Sequence, residues 1–144
     1  MCLCATASAS DVTTGVIILT HNRIGEELLR TAENIIGKSL PRVVNICIPG
    51  DIKPAELGFY ADQVKSSIDE LDNGDGVLIL TDMHGATPSN LAHYFAADHQ
   101  VKIVSGINLP MLIRVINYAE QPLELLAKIG IVGANKGITN EQDL

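Results

Sequence analysis

Basic residues are in short supply in this chain. Lysine and arginine number 10 against 17 aspartates and glutamates, a formal charge of −7. That balance excludes a nucleic-acid interface built on a basic surface. Long apolar runs are also missing. None approaches the roughly 20 residues needed to cross a bilayer, so no direct membrane insertion is expected. Cysteine is sparse and odd in number, at Cys2, Cys4 and Cys47. This spacing is no disulfide framework, and Cys2-x-Cys4 brings too few ligands for a zinc site. No metal is expected, and the cysteine usage fits a cytoplasmic location. The chain has no Walker A sequence, no G-x-G-x-x-G and no G-x-S-x-G elbow. Nucleotide binding and serine-hydrolase chemistry are therefore not expected, nor is any cofactor.

What the chain does hold is an ordinary globular balance, 47% apolar and 19% charged over 144 residues. That suits one domain with a real core. Residues 1–14 are expected to form a flexible N-terminal tail. The stretch from Met1 to Asp11 has neither a positive n-region nor a long apolar core, so it does not read as a signal peptide. Residues 15–144 are expected to form a single domain. Short β-branched runs at Gly15 to Thr20, Arg42 to Ile48, Val77 to Leu80 and Val101 to Val104 read as buried strands. Between and after them lie stretches with helical spacing. These are Ile24 to Ile36 stopped by Gly37, then Pro54 to Leu71, Pro88 to Ala97, Pro110 to Tyr118 and Leu123 to Ile129. Gly130 to Leu144 is glycine-rich, and Lys136 to Thr139 is a candidate edge strand.

Alternating strands and helices predict an α/β fold with βαβ units and a mostly parallel central sheet. Right-handed crossovers put helices on both faces, giving a three-layer sandwich. In such sheets the ligand site lies at the carboxyl ends of the strands, where strand order reverses. For the order 2-1-3-4 this point falls between strands one and three. The residues that follow those strands are His21 and the segment from Asp82 to Ser89.

A strand-end histidine can act as nucleophile, base or ligand, or simply as a hydrogen-bonded loop residue. A nearby carboxylate such as Asp82 can accept the Nδ1 proton and leave Nε2 with its lone pair outward. In HGATPSN, Gly85 permits close backbone approach, Thr87 is expected as N-cap and Pro88 as the first helical residue. Free amides at a helix start favour an anion. Gly85, Ala86, Thr87 and Ser89 are therefore candidate phosphate-binding residues, and His84 and Asn22 candidate rim residues. An ordinary turn aspartate and an ordinary helix start are the plainer alternatives for the same residues. A mutase-type histidine phosphatase would carry Arg directly before the histidine, where this chain has Thr20.

The stretches GVIILTHNRIGEELLRTAENIIG, GVLILTDMHGATPSNLA and VKIVSGINLPMLIRVINY resemble, in order, the signature stretches of the mannose-type IIA domain of the bacterial phosphoenolpyruvate:sugar phosphotransferase system. The resemblance runs from about Gly15 to about Thr139. It implies that His21 is the phosphorylated residue, with Asp82 as its carboxylate partner. It further implies a phosphotransferase that accepts a phosphoryl group from phosphorylated HPr and passes it to a IIB component. Some family members are homodimers that exchange a C-terminal strand, for which Lys136 to Thr139 is the candidate here.

The chain departs from the family pattern in two places. His84 stands where many relatives carry an aromatic residue, and Ala86 replaces the second glycine of a glycine pair. His93 and His99 are expected at the surface, and Met111 and Leu112 in core packing beside the site. Asn108 is at most a residue that orients backbone there. Two alternatives to sugar uptake stay open. One is a regulatory phospho-switch whose acceptor is a regulator protein. The other is the phosphoryl-transfer subunit of dihydroxyacetone kinase, which the GATPSN segment fits less well.

Overall fold

The computed structural model describes residues 13–97 and 99–143. Strands and helices follow one another as β1 (Gly15–His21), α1 (Ile24–Ile36), β2 (Val43–Ile48), α2 (Leu57–Leu71), β3 (Val77–Thr81), α3 (Thr87–Ala96), β4 (Val101–Ser105), α4 (Leu109–Asn117) and α5 (Leu123–Lys136). A 3-10 turn at Pro54–Glu56 leads into α2. The four strands make one all-parallel sheet in the order β2-β1-β3-β4. This is the order for which the switch point falls between β1 and β3.

Side chains alternate across a strand, so each central strand feeds two cores. Val16 and Ile18 of β1 join Leu78, Leu80 and Val104 beneath α1, α4 and α5. Ile17 and Leu19 join Ile46, Ile48, Val77 and Ile79 against α2 and α3. All four of these β1 residues are buried. Burial on both faces explains why the strands read as continuous apolar runs rather than as alternating ones.

The N-terminal boundary differs from the expected one. Thr14 is buried, its N–H donates to Ala119 O at 2.9 Å and its hydroxyl donates to Gln121 O at 3.2 Å. Arg42 also donates to Thr13 O at 2.8 Å and to Leu71 O at 2.6 Å. Residues 13 and 14 therefore belong to the domain. The rest of the expected tail, with Cys2 and Cys4, lies outside the described residues.

The C-terminal expectation needs a larger correction. The helix expected to stop at Ile129 runs on to Lys136, so Lys136 to Thr139 is not an edge strand. Gly137 N–H donates to Gly133 O and Ala134 O, which continues the helical pattern beyond Lys136. The glycines that read as breakers have a packing role. A Cβ on Gly130 would stand 2.9 Å from Val115 Cγ2, and one on Gly133 would stand 2.8 Å from Arg114 Cβ. Bare backbone there lets α5 lie close against α4. The helix expected at Pro110 to Tyr118 forms one residue earlier at both ends, as Leu109–Asn117. Asn108 caps it, accepting from Met111 N–H at 2.9 Å.

The first helix is held by a comparable close approach. Thr20 Oγ1 accepts from Gly25 N–H at 2.8 Å, giving a free amide at the start of α1 a partner from the strand before it. A Cβ on Gly25 would meet Asn45 Oδ1, Ile18 Cγ2 at 2.7 Å and Thr20 Oγ1 at 2.9 Å. Two of these three atoms belong to β1. Gly25→Ala is therefore expected to destabilise the fold by about 1–3 kcal/mol, the usual range for overpacking. Urea unfolding of the variant against the parent checks this.

Candidate functional site at the switch point

β1 lies between β2 and β3, with α1 leaving on one face of the sheet and α3 on the other. In sheets of this topology ligands bind outside the carboxyl ends of the strands at the switch point, here those of β1 and β3. His21 is the last residue of β1, and Asp82 directly follows β3. They are 61 residues apart in sequence, yet His21 Nδ1 and Asp82 Oδ2 are 2.8 Å apart. The same carboxylate oxygen accepts from His21 N–H at 3.2 Å.

A carboxylate is an acceptor only, so Nδ1 carries the proton in this contact and Nε2 keeps its lone pair. The side chains are 29% and 13% exposed, so the ring is partly open and the carboxylate mostly covered. The other oxygen, Asp82 Oδ1, is buried and has no hydrogen-bond partner. The pair is anchored on its strands. Thr20 is fully buried beside it, and Thr81 Oγ1 shares a 2.7 Å hydrogen bond with Ser105 Oγ of β4. Thr81 O accepts from both Gly106 and Ile107 N–H. Thr20 and Ser105 carry no motif. Their adjacency to strand ends is the only sequence signal they give.

The segment after Asp82 turns sharply. Met83, His84 and Gly85 are exposed, and Gly85 has φ 81°, a left-handed conformation that suits glycine. No atom stands within 4 Å of a Cβ placed on Gly85, so the space above it is open. The helix begins one residue earlier than expected. Ala86, extended at φ −83° and ψ 174°, takes the cap position, and Thr87 and Pro88 open α3. Alanine has no side chain to cap with, so no side-chain hydrogen bond closes this end. The first-turn amides of a helix lack carbonyl partners within it, and a helix start of this kind favours an anion.

The structure thus brings His21, Asp82, Gly85, Ala86 and Thr87 to one end of the sheet. Ser89 differs from them. It is fully buried, and its hydroxyl is unpartnered beneath the surface. His84 is exposed at the rim. Asn22 is exposed too, with its side chain engaged by the neighbouring turn, where Oδ1 accepts from Gly50 N–H at 2.8 Å. Met111 and Leu112 are buried in the core, as expected. His93 is exposed, and the ring of His99 sits 6.0 Å from that of Phe95.

The arginine closest in sequence to His21 is already bound. Arg23 Nε donates to Glu26 Oε2 at 2.9 Å, and Glu27 lies 3.8 Å from its Nη2. The hydrogen bond to Glu26 raises the Arg23 pKa and lowers that of Glu26. Apolar side chains flank the site in the open, with Ile24 48% and Met83 62% exposed. A groove of about 580 Å³ between α2 and α3 borders it, lined by Leu57, Ala61, Thr87, Leu91, Tyr94 and Phe95 among others.

The model of the family described as the fructose IIA component of the PTS system matches residues 15–128. The mannose-specific EIIAB component of Escherichia coli (strain K12) is 30% identical over 106 residues. That match covers 73% of this chain and 32% of the relative, so the chain spans about a third of the relative's length. Among solved structures, the PTS IIA protein associated with the fucose utilization operon of Streptococcus pneumoniae superposes with a TM-score of 0.77 at 26% identity, covering 91% of this chain and 95% of that one. Phosphotransferase system component EIIA from Streptococcus agalactiae gives a TM-score of 0.79 at 22% identity, covering 91% and 99%. At that identity the likeness shows the shared fold.

Asp82→Ala is expected to release the imidazole from its single tautomer. Nitrogen-15 spectra of the His21 ring in the parent should show the proton on Nδ1. The variant should show a mixture that includes Nε2–H. A parent ring protonated mainly on Nε2 would contradict the geometry.

Proposed function

The chain belongs to the family of fructose IIA components of the PTS system, and we propose that it is a phosphoryl carrier whose acceptor atom is Nε2 of His21. The observation that carries this reading is the 2.8 Å contact between His21 Nδ1 and Asp82 Oδ2. It occupies one ring nitrogen and presents the other. Phosphorylated HPr is the proposed donor and a IIB component the acceptor, with the exchange taking place in the cytoplasm. No helix among the described residues is long and apolar enough to cross a membrane.

In the first half-reaction the Nε2 lone pair attacks the phosphorus of the donor's phosphohistidine. The new P–N bond forms as the donor's P–N bond breaks. The donor ring, protonated on its other nitrogen, takes the electron pair and leaves as neutral imidazole. His21 keeps its Nδ1 proton, so its phosphorylated ring is cationic, and the Asp82 carboxylate balances that charge. The second half-reaction runs the same steps onto the acceptor's nucleophile. The protein's part is positioning and electrostatics, as is general for phosphoryl transfer.

The phosphoryl oxygens are assigned to the open start of α3. Gly85 and Ala86 let the backbone approach, and the Thr87 amide is assigned to the group at a helix end that favours negative charge. Thr87, which also lines the neighbouring groove, is the hydroxyl donor. Ser89 is fully buried, too deep for a group on a partly open ring, so it is not assigned a contact with the phosphoryl group. The exposed Ile24 and Met83 supply apolar ground on which a partner seats its own histidine opposite His21. We extend the proposal to a homodimer formed through the outer face of α5, where Ile131 and Val132 are 45% and 49% exposed.

Incubation with phosphorylated HPr is expected to label the chain with an acid-labile, base-stable phosphoramidate, and His21→Ala should abolish the label. Equal labelling of His21→Ala would defeat the assignment. Thr87→Val should slow labelling on the order of 100-fold, the lower end of what loss of one oriented donor costs. Discharge of the label by a IIB protein supports the carrier role. A stable label that instead changes affinity for a regulator would favour the phospho-switch. For the dimer, light scattering should give twice the 15.4 kDa chain mass, reduced to one chain by Ile131→Glu with Val132→Glu.

A further inference from the structure

We propose that Asn22 is a positioning residue, which sets the direction in which the His21 ring is presented by tying the β1–α1 turn to the β2–α2 turn. The kinetic side of this proposal rests on the reading of His21 as a phosphoryl carrier. Its structural side stands apart from that reading.

Among the described residues Asn22 is the only non-glycine with a positive φ, at 48°. L-residues rarely adopt this conformation, and asparagine tolerates it better than most. The backbone at Asn22 is held from β2, because its N–H donates to Ile48 O at 2.7 Å and so continues the β1–β2 ladder past His21. The side chain then reaches across to the next turn. Its Oδ1 accepts from Gly50 N–H at 2.8 Å. Gly50 is the second residue of a turn closed by Ile52 N–H on Pro49 O at 3.2 Å. A Cβ on Gly50 would stand 3.2 Å from Asn22 Nδ2, so the asparagine amide lies flat against that turn.

His21 is therefore held from both neighbouring strands. From the β3 side, Asp82 Oδ2 takes its backbone N–H and its Nδ1 proton. From the β2 side, Ile48 and Gly50 hold the next residue through its main chain and its amide. The carboxylate governs rotation of the ring. The tether governs the backbone from which the ring hangs. Burial does not explain Asn22, because the residue is exposed. Nor does its Oδ1 face an incoming phosphoryl group, since that atom is committed to Gly50. Its effect on transfer runs through His21, and a misplacement of about 1 Å is enough to slow a positioned reaction.

The tether has two ends, and each can be cut alone. Asn22→Gly keeps a left-handed turn and removes the acceptor. Gly50→Pro removes the donor at a turn position that proline suits, and the crowding its Cβ would impose on Asn22, 3.2 Å from Nδ2, is relieved in the double variant. These two variants, their double and the parent are compared in three measurements: transfer from phosphorylated HPr at varied donor concentration, nitrogen-15 spectra of the His21 ring, and thermal unfolding. Each single variant should lower the rate at saturating donor roughly 3- to 10-fold with KM unchanged. The double should fall no further than the worse single, since both cut one bond. The His21 ring signals should broaden or shift in all three variants.

Parent-like rates in the singles would overturn the proposal, as would losses that multiply in the double or a loss confined to KM. A variant whose unfolding temperature drops so far that it is partly unfolded at the assay temperature is replaced by the other single, measured alone. If the parent itself takes no phosphoryl group on His21, the carrier reading fails and the ring spectra decide the tether. Altered His21 signals in Asn22→Gly would then support it, and unchanged signals would overturn it.

Discussion

β1 pairs with β3 in parallel from Gly15 opposite Val77 to Leu19 opposite Thr81. Because the strands run the same way and end within two residues of each other, whatever follows each of them arrives at the same edge of the sheet. His21 and Asp82 meet for this reason. The pairing also divides the helices, sending α1 to one face and α3 to the other, and so leaves the edge between them uncovered. Moving the register by two residues would carry the carboxylate away from the ring by about two strand steps, near 7 Å. The contact would be lost with every residue unchanged. The buried apolar positions of both strands oppose such a slip.

Around that pairing the close approaches are made by small residues. Gly25 brings α1 onto β1, and Gly130 and Gly133 bring α5 onto α4. Thr20 serves two layers, as a buried strand residue and as the acceptor for Gly25 N–H. The site is thus continuous with the packing beneath it. Ile18, packed under α1, and His21, the partly open end of the same strand, belong to one element.

Much of this was legible in the sequence because of how parallel sheets are buried. Strands covered on both faces need unbroken β-branched runs, and those runs stand out at Gly15–Thr20 and Val77–Leu80. Given the order 2-1-3-4, the switch point then places His21 beside Asp82. The misreadings have physical causes as well. Glycine in a helix usually weakens it, so Gly130 and Gly133 suggested an ending where tertiary packing against Val115 and Arg114 keeps the helix going. Thr14 looked like tail because its partners, Ala119 and Gln121, are distant in sequence. Ser89 looked like a phosphate ligand by residue type, but its position on α3 turns it inward. The role of Asn22 was not legible, since it depends on a left-handed backbone and on an amide 28 residues away.

The β1–β3 pairing also bears on the order in which the molecule can be made. A ribosome delivers His21 early, yet the strand that supplies its carboxylate ends 60 residues later at Thr81, and closing so long a loop is slow compared with forming a helix. Until β3 arrives, β1 has β2 on one side but lacks its neighbour on the other, the one that brings the carboxylate. The histidine is therefore among the first site residues to be synthesised and among the last to be set in place. A nascent or truncated chain ending before Asp82 would carry the imidazole but not its orientation, so the chemistry of the site is gated by completion of the sheet.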